Sequence, residues 1–260
     1  MKTVVVKIGG STLGSGDTAL PDLVALQREG RAIVVVHGGG RVISEWLERC
    51  NVATRFERGL RVTDSATLDV VVAVLCGLVN TQLVAAIGAL GGRAVGLSGA
   101  DGRLIEARVK DPALGYTGEV VRVNTGPIES LLREGYMPVI APLGVDRDGP
   151  AGQVLNINAD TAAGEIASAL GAEGLLLLTD VAGVMDGVGR PIPRLSAAEA
   201  SALIAQGVVM GGMIPKVEAC LCALSTVAVA HIVDGRLPCA LRAALDEGGA
   251  GTTICEHREK

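Results

Sequence analysis

Four short segments of this chain contain glycine, lysine, asparagine or aspartate and directly follow or end an apolar run. They are KIGGS (7–11), HGGGR (37–41), NINAD (156–160) and TDVAG (179–183). Short apolar runs predict buried strands, and the ligands of parallel sheets bind beyond the carboxyl ends of the strands. The four segments are therefore the first candidates for a binding or catalytic site.

The two glycine runs predict a site for an anion. Glycine leaves backbone N–H groups uncovered, and such groups at the start of a helix attract negative charge. A single glycine loop would be explained by a tight turn, but two of them together with Lys7 favour a bound anion. Lys216 follows two glycines and a proline near the predicted start of a helix. A cation there opposes the helix dipole, and a negatively charged partner would explain it.

The segment 156–160 has polar side chains at alternate positions. If it is extended, Asn156, Asn158 and Asp160 share one face, and Asp160 occupies the N-cap position of the alanine-rich helix that follows. A cap would need Asp160 alone, so the two asparagines predict a polar surface that orients a substrate and the lysines. His37 is explained equally well as a brace for its glycine loop or as a phosphate contact, and no role is assigned to it.

Neither a standard nucleotide-binding motif nor a metal site is indicated. The chain contains no GxxxxGK[ST], and its GxGxxA match (14–19) lies beyond the end of the first predicted strand. The six cysteines form no CxxC pair and have no histidine cluster beside them. We therefore expect reduced and mostly buried thiols rather than a metal centre.

Strand and helix patterns alternate along the chain. The opening 3–36 is β-α-β, the segment 56–61 predicts a short hairpin, and a helical pattern over 65–79 is followed by another over 83–90. This alternation predicts an α/β fold with a mostly parallel sheet and helices on both faces. No linker separates domains, although the regions before and after Asn156 could form two lobes.

Composition and charge argue against several other classes. Val, Leu, Ile and Ala must fill the core, because 49% of the residues are apolar and only 2% are aromatic. The net charge of −5 gives no electrostatic reason to expect a nucleic acid or an anionic membrane as a partner. The longest apolar run, 70–79, is half of a membrane span, and the N-terminal run is too short for a secretory signal. We therefore expect a cytoplasmic protein.

Five motifs in this order resemble those of the amino-acid kinase family: KIGGS, HGGG, GLRVTD, NINADTAA and GGMIPKV. The resemblance runs from Lys7 to the GTTI near the C-terminus, and GLRVTD followed by NINAD is similar to the branch that acts on N-acetyl-L-glutamate. It implies a three-layer αβα sandwich with an open, mostly parallel sheet, as one domain over 1–260. Residues 1–155 would form the lobe for the amino-acid substrate and dimerisation, and residues 156–260 the ATP-binding lobe.

The resemblance also implies an activity and residue roles. The activity is ATP-dependent phosphorylation of the γ-carboxylate of N-acetyl-L-glutamate, the second step of arginine biosynthesis, with Mg²⁺ carried mainly by the nucleotide and no metal ligand from the protein. Lys7 and Lys216 would stabilise charge on the transferring phosphoryl group, and Asp160 would hold both lysines. The other implied roles are substrate binding by Gly39, Gly40, Arg61 and Asn156, phosphate binding by Gly9 and Gly10, and ATP binding by Asp180, Val181, Gly183, Val208 and Met210.

Two other functions compete with this one. CGLVN (76–80) and LSGADG (97–102) are similar to a related kinase of lysine biosynthesis that acts on α-aminoadipate or glutamate attached to a carrier protein, whereas GLRVTD favours the acetylated substrate. A non-catalytic amino-acid sensor would need no pair of lysines, so Lys7 and Lys216 argue against it.

The resemblance further implies a homodimer. Hexameric, arginine-regulated members carry an extra N-terminal helix, whereas the first predicted strand here begins at Thr3. DEGGAG (246–251) nevertheless resembles the arginine site of those members, which leaves inhibition by arginine open.

Overall fold

The computed structural model describes residues 3–9, 19–246 and 251–257. Its strands are β1 Thr3–Ile8, β2 Ala32–His37, β3 Phe56–Glu57, β4 Leu60–Arg61, β5 Ala94–Ser98, β6 Ile105–Val109, β7 Thr117–Val123, β8 Met137–Ala141, β9 Leu143–Asp146, β10 Val154–Ile157, β11 Gly174–Thr179, β12 Arg194–Ser196, β13 Val229–Asp234 and β14 Thr252–Cys255. The main sheet has the order β12-β14-β13-β11-β1-β2-β8-β5. The predicted mostly parallel sheet is confirmed, since β13–β14 is the one antiparallel pair among the described strands of this sheet.

Helices cover both faces of this sheet. They are α1 Ala19–Arg28, α2 Gly40–Arg49, α3 Ser65–Val72, α4 Thr81–Ala89, α5 Gly126–Arg133, α6 Ala159–Leu170, α7 Ala197–Ala205, α8 Ile214–Ala223 and α9 Ala240–Asp246. Alternate strand residues feed two cores, so that Val5 packs with α5, α6, α7 and α8, while Val4 and Val6 pack with α1, α2, α3, α4 and α9. The predicted three-layer αβα sandwich is confirmed.

The sheet changes direction of growth at β1. The chain passes from β1 to β2 on one side and later returns to β11 on the other, so β1 lies between them. Such a switch point leaves a crevice at the carboxyl ends of the strands, where ligands bind. Lys7 pairs in register with Val36 and Leu177, which places it next to that crevice.

A small closed barrel of β6, β7, β9 and β10 lies beside the sheet. The sequence predicts strands over 104–108 and 118–123 but not their closure into a barrel. Glycine is needed inside it, because a β-carbon on Gly118 would lie 2.8 Å from Ile157 Cδ1 and one on Gly144 would lie 2.8 Å from Ala107 Cβ. The barrel carries β10, and with it Asn156, to the edge of the crevice.

The two helices predicted over 65–79 and 83–90 are in fact one continuous helix, Ser65–Ala89, whose middle, Ala73–Asn80, is a π-helix. By length and composition alone this 25-residue helix is long and apolar enough to cross a membrane, because the helix extends well beyond the apolar run 70–79. Packing explains part of its apolar character, because 39% of its most apolar window is buried inside the fold.

The predicted hairpin over 56–61 is confirmed as β3 and β4, which pair antiparallel. The division into two lobes at residue 155 stays a prediction. β1 of the first part pairs directly with β11 of the second, so one sheet continues across the division.

Candidate functional site

Two lysines meet one buried aspartate at the end of β1. Lys7 Nζ lies 2.8 Å from Asp160 Oδ1, and Lys216 Nζ donates a hydrogen bond of 2.9 Å to Asp160 Oδ2. The side chains of Lys7 and Asp160 are 8% and 6% exposed. The three residues predicted as catalytic therefore form one cluster, although 209 positions separate the two lysines along the chain.

The first turn of α6 places the aspartate, but not in the predicted way. The strand ends at Ile157, and Asn158 is the N-cap: its Oδ1 accepts hydrogen bonds from the N–H groups of Asp160 and Thr161 at 2.9 and 3.1 Å. The expectations that Asp160 caps the helix and that 156–160 is extended throughout are wrong. Because Asn158 caps the helix, the carboxylate of Asp160 is available to the lysines.

Lys216 reaches the aspartate because α6 and α8 pack closely. A β-carbon on Gly164 would lie 2.6 Å from the carbonyl oxygen of Ala219, so only a glycine fits. Gly164 lies one turn after Asp160, and Ala219 lies nearly one turn after Lys216, so this contact sets the separation of the two charges. Sequence reasoning missed Gly164, whose signal is a glycine inside an otherwise helix-favouring run.

Burial and attraction oppose each other in this cluster. Burial would raise the pKa of Asp160, but the ammonium groups of Lys7 and Lys216 outweigh it and hold the pKa below its usual value. Burial lowers the pKa of Lys7, and the charge of Asp160 only partly offsets that effect. Two cations around one anion leave an excess of positive charge, which a negatively charged ligand would balance.

The glycine loop 38–40 lies beside the cluster, between β2 and α2. The first N–H donor of this helix turn is that of Ile43, which bonds to the carbonyl of Gly39, so the N–H groups of Gly40 and Arg41 have no acceptor within the helix. The N–H of Gly9, predicted to bind phosphate, already donates to the carbonyl of Leu178 at 3.2 Å. Gly10 lies outside the described residues.

Arg61 is a buried cation with an incomplete set of partners. Its Nη2 donates to the Gly40 carbonyl and to Ser44 Oγ, both at 2.9 Å, and its guanidinium lies 4.7 Å from the centroid of the Phe56 ring. Nη1 is buried without a hydrogen-bond partner, and no carboxylate among the described residues pairs with Arg61. Burial lowers its pKa. A carboxylate ligand would satisfy the free N–H groups and the charge.

Asn156 belongs to a hydrogen-bond network that fixes the backbone of Arg61. Asn156 Nδ2 donates to Thr63 Oγ1 at 3.0 Å, and the Thr63 and Thr117 hydroxyls both donate to the carbonyl of Arg61, at 3.1 and 2.6 Å. Sequence reasoning did not single out Thr63, Thr117 or Ser44. Thr63 lies within the GLRVTD motif, but a hydroxyl's role depends on partners that are distant in sequence.

The residues predicted to bind ATP fall into two groups. Asp180, Val181 and Gly183 follow β11, near Asp234 and its ion-pair partner Arg236 at the end of β13. Gly183 has a φ of 135°, and a β-carbon on it would lie 2.5 Å from Thr252 Oγ1. Val208 and Met210 lie between α7 and α8. Among the described residues, no hydrogen bond or ion pair joins them to Asp180, Val181 or Gly183.

One cavity of about 230 Å³ is lined by six of the fourteen predicted site residues. Its walls include Lys7, Gly39, Gly40, Arg61, Asn156 and Asp160. Within the described ranges, no group of three or more His, Cys, Asp or Glu side chains could hold a metal ion. The fold and this cavity define an α/β protein with a cavity lined by cations at the switch point of a parallel sheet.

The chain belongs to the amino acid kinase family, whose model matches residues 2–234. It is 48% identical over 262 aligned positions to an acetylglutamate kinase of Synechococcus sp., covering 97% of this chain and 86% of that protein. It is 46% identical to an acetylglutamate kinase of Dehalococcoides mccartyi, covering 96% and 93%. The crystal structure of smu.665 from Streptococcus mutans UA159 is similar with a TM-score of 0.85 at 30% identity, covering 98% of this chain and 99% of that one.

Proposed function

We propose that this protein transfers the γ-phosphoryl group of ATP to the γ-carboxylate of N-acetyl-L-glutamate, the second step of arginine biosynthesis, in the cytoplasm. One observation carries the proposal: two buried cations, Lys7 and Arg61, line one cavity whose single buried carboxylate, Asp160, also binds a third cation, Lys216. The protein as a whole has a net charge of −5, so this local positive excess is specific to the cavity. The relatives named above support the choice of substrate.

The cavity offers separate places for the two ends of such a substrate. The free Nη1 of Arg61 suits the α-carboxylate, because a guanidinium fork can bind a carboxylate through two parallel hydrogen bonds. The γ-carboxylate would then lie toward the glycine loop and Lys7. A glutamate γ-carboxyl group has a pKa of about 4.3, so it is already ionised at neutral pH and needs no general base.

Transfer therefore depends on bringing two anions together. The ammonium groups of Lys7 and Lys216 lie on the two oxygens of Asp160, which holds them on opposite sides of one carboxylate. In this role they balance charge on the phosphoryl group as it leaves ATP, and the loop N–H groups assist them. Asp160 holds the lysines in place and does not accept a proton.

Mg²⁺ is part of the proposal as a companion of the nucleotide. The buried carboxylate of the cavity is occupied by two lysines, and Asp234 is paired with Arg236. These residues fit an ion carried by the phosphate oxygens of ATP better than one held by the protein. When bound, such an ion neutralises part of the phosphate charge.

The activity is tested by trapping the product. An acyl phosphate reacts with hydroxylamine, which displaces inorganic phosphate and leaves a hydroxamate that is coloured as its iron complex. With MgATP and N-acetyl-L-glutamate, the protein should form hydroxamate. With glutamate, aspartate or α-aminoadipate in place of N-acetyl-L-glutamate, hydroxamate should form more slowly or not at all. If none of these four amino-acid substrates gave hydroxamate with ATP, the protein would be a binding protein without kinase activity, and the proposal would be contradicted.

The assignment of Lys216 is tested by Lys216→Ala. Removing one preorganised donor or charge from a site of this kind costs about a hundredfold to a thousandfold in kcat. The affinity for ATP should change modestly, because the lysine acts mainly on the transferring group. Glu218→Ala, an exposed change on the same helix, is the control. A near-normal turnover of Lys216→Ala would refute the role given to Lys216.

We also infer that two copies of this chain associate through the outer face of the helix Ser65–Ala89. This face is apolar, and Trp46, Ala73, Gly77 and Leu78 border a hollow of about 220 Å³ there. The neighbouring β5 is an edge strand of the main sheet. An apolar helix face next to an open edge favours burial against a second copy.

The dimer is tested by Ala73→Arg, which places a charge on an exposed position of that face. The wild-type protein should have the mass of a dimer by light scattering at micromolar concentration, and Ala73→Arg the mass of a monomer. Glu134→Arg, which places the same charge at the exposed end of α5, should remain a dimer. A monomeric wild type, or a dimeric Ala73→Arg, would count against this interface.

A further inference from the structure

His37 is a fully buried histidine next to the glycine loop, and both of its ring nitrogens have partners. Nε2 lies 3.1 Å from Asn80 Nδ2, and Nδ1 lies 3.0 Å from the carbonyl oxygen of Gly38. Asn80 Nδ2 also donates to the carbonyl of Val139 at 2.8 Å, which identifies it as the amide nitrogen. Since Asn80 Nδ2 is a donor, Nε2 of His37 must be an acceptor, and the ring proton must be on Nδ1.

This tautomer fixes one peptide group of the loop. The Nδ1–H of His37 donates to the Gly38 carbonyl, and in a trans peptide the C=O and the next N–H point in opposite directions. The N–H of Gly39 must therefore point away from His37. Gly39 lines the cavity, so the orientation of this peptide decides whether its N–H can serve an anion there.

The π-helical segment Ala73–Asn80 builds the support for this arrangement. Its buried residues occur in pairs five apart, Val74 with Val79 and Leu75 with Asn80, as i→i+5 winding requires for residues on one face. A β-carbon on Gly39 would lie 2.7 Å from Leu75 Cδ2 and 3.7 Å from Val79 Cγ2. The same segment therefore contacts the loop through Leu75 and Val79 and supplies Asn80 to His37.

The sheet leaves room for Asn80. A β-carbon on Gly96 in β5 would lie 2.0 Å from Asn80 Oδ1, so the amide occupies the space that a side chain would take. Asn80 is 6% exposed and contacts β2 through His37 and β8 through Val139. Its Nδ2 also lies 3.5 Å from the carbonyl oxygen of Leu97 in β5. A buried amide that contacts polar groups of three strands is more than the packing of an apolar helix needs.

We propose that Asn80 is a positioning residue for the reaction, which selects the Nδ1–H tautomer of His37 and thereby turns the Gly39 N–H toward the transferring phosphoryl group or its acceptor carboxylate. This inference rests on the proposed function, since it gives that N–H a reacting anion to bind. With the other tautomer, a lone pair of Nδ1 would face the Gly38 carbonyl and repel it. Burial lowers the pKa of His37 to about 4, which keeps the ring neutral at physiological pH.

The tautomer can be measured in the wild-type protein. Ring ¹⁵N chemical shifts at pH 7 should show His37 protonated on Nδ1 and unprotonated on Nε2. The chain has three histidines, and spectra of His231→Gln and His257→Gln assign the remaining signal to His37. A ring protonated on Nε2 would overturn the proposal whether or not any variant folds.

Asn80→Leu tests the consequence for turnover. The variant removes the donor to Nε2 with little change in size, and kcat should fall by up to about a hundredfold, as for a misplaced catalytic group. The KM for ATP should change by less than about threefold, because the nucleotide binds mainly to other residues. In the same spectra, His37 of Asn80→Leu should lose its single Nδ1–H form.

Leu83→Ala is the matched control, because Leu83 lies on the same buried side of the helix one turn further on. It should lower Tm at least as much as Asn80→Leu while leaving kcat near the wild-type value. Wild-type turnover in Asn80→Leu, or an equal loss of kcat in Leu83→Ala, would overturn the positioning role. If the wild-type protein forms no hydroxamate, the proposed function fails instead, and the ring spectra still decide the tautomer.

Discussion

The close contact of α6 with α8 predicts that Gly164→Ala disables the site without touching it. A methyl group at Gly164 would lie 2.6 Å from the Ala219 carbonyl oxygen, and real contacts of this kind do not fall below 3.0 Å. The helices must therefore move apart by at least about 0.4 Å. Lys216 is on α8 and Asp160 on α6, so their hydrogen bond of 2.9 Å must lengthen or be rebuilt.

The stability effect is a balance of two terms. Overpacking costs about 1–3 kcal/mol, and replacing glycine by alanine inside a helix returns about 1 kcal/mol, so the net loss for Gly164→Ala is about 0–2 kcal/mol. Gly88→Ala in α4 is the control, because nothing lies within 4 Å of a β-carbon there. It should gain about 0.5–1 kcal/mol, as expected for glycine replaced by alanine in a helix.

Urea unfolding and the hydroxamate assay together decide the question. Gly164→Ala should lose turnover by about tenfold or more, since a displacement of 1 Å can cost about a hundredfold, while Gly88→Ala keeps the wild-type rate. If Gly164→Ala were as stable as Gly88→Ala and turned over like the wild type, the separation of α6 and α8 would not be what places Lys216.

Two further perturbations test the electrostatics. Asp160→Asn leaves two ammonium groups without their carboxylate and should lower the free energy of unfolding at pH 7 by about 3–5 kcal/mol, as breaking a buried ion pair does. The control Glu45→Gln, in an exposed pair with Arg41, should change this free energy by less than about 1 kcal/mol. Equal urea midpoints for the two variants would refute the dependence of the lysines on Asp160. The pKa values of His37 and His231 are lowered by burial from 6.5 to about 4, so between these values the unfolded chain binds protons that the folded chain does not. The free energy of unfolding should then fall as pH decreases from 6.5 to 5, with a limiting slope of about 1.4 kcal/mol per pH unit for each histidine, and a flat urea midpoint over this range would contradict it.

Local sequence pattern was sufficient for the interior strands of the main sheet, whereas it predicted no strand at β9 or β12. The valine and leucine runs of β1, β2 and β11 are buried on both faces, so their composition marks them as interior parallel strands. Lys7 and the glycines of the loop 38–40 follow such runs directly, and that placement alone directs them to the ligand-binding edge of the sheet.

The local sequence pattern gave a wrong prediction where two different local structures fit the same residues equally well. An Asn-x-Asp spacing allows either residue to cap a helix, and the hydrogen bonds of Asn158 decide for Asn158. The apolar residues of Ser65–Ala89 fit an α-helical period only in parts. Its π-helical middle, Ala73–Asn80, packs against the glycine loop 38–40 and against β5 of the sheet.

The sequence by itself determined the class of fold, the order of its motifs and the presence of three cations and one aspartate suited to anionic ligands. Tertiary structure alone decided that Lys7 and Lys216 meet on Asp160, that Arg61 lies buried without a carboxylate partner, and that Asn80 reaches His37. The physical reason is range: periodicity records which face of an element is buried, whereas a contact between distant side chains depends on how closely two elements approach, here on a glycine that lets α6 touch α8.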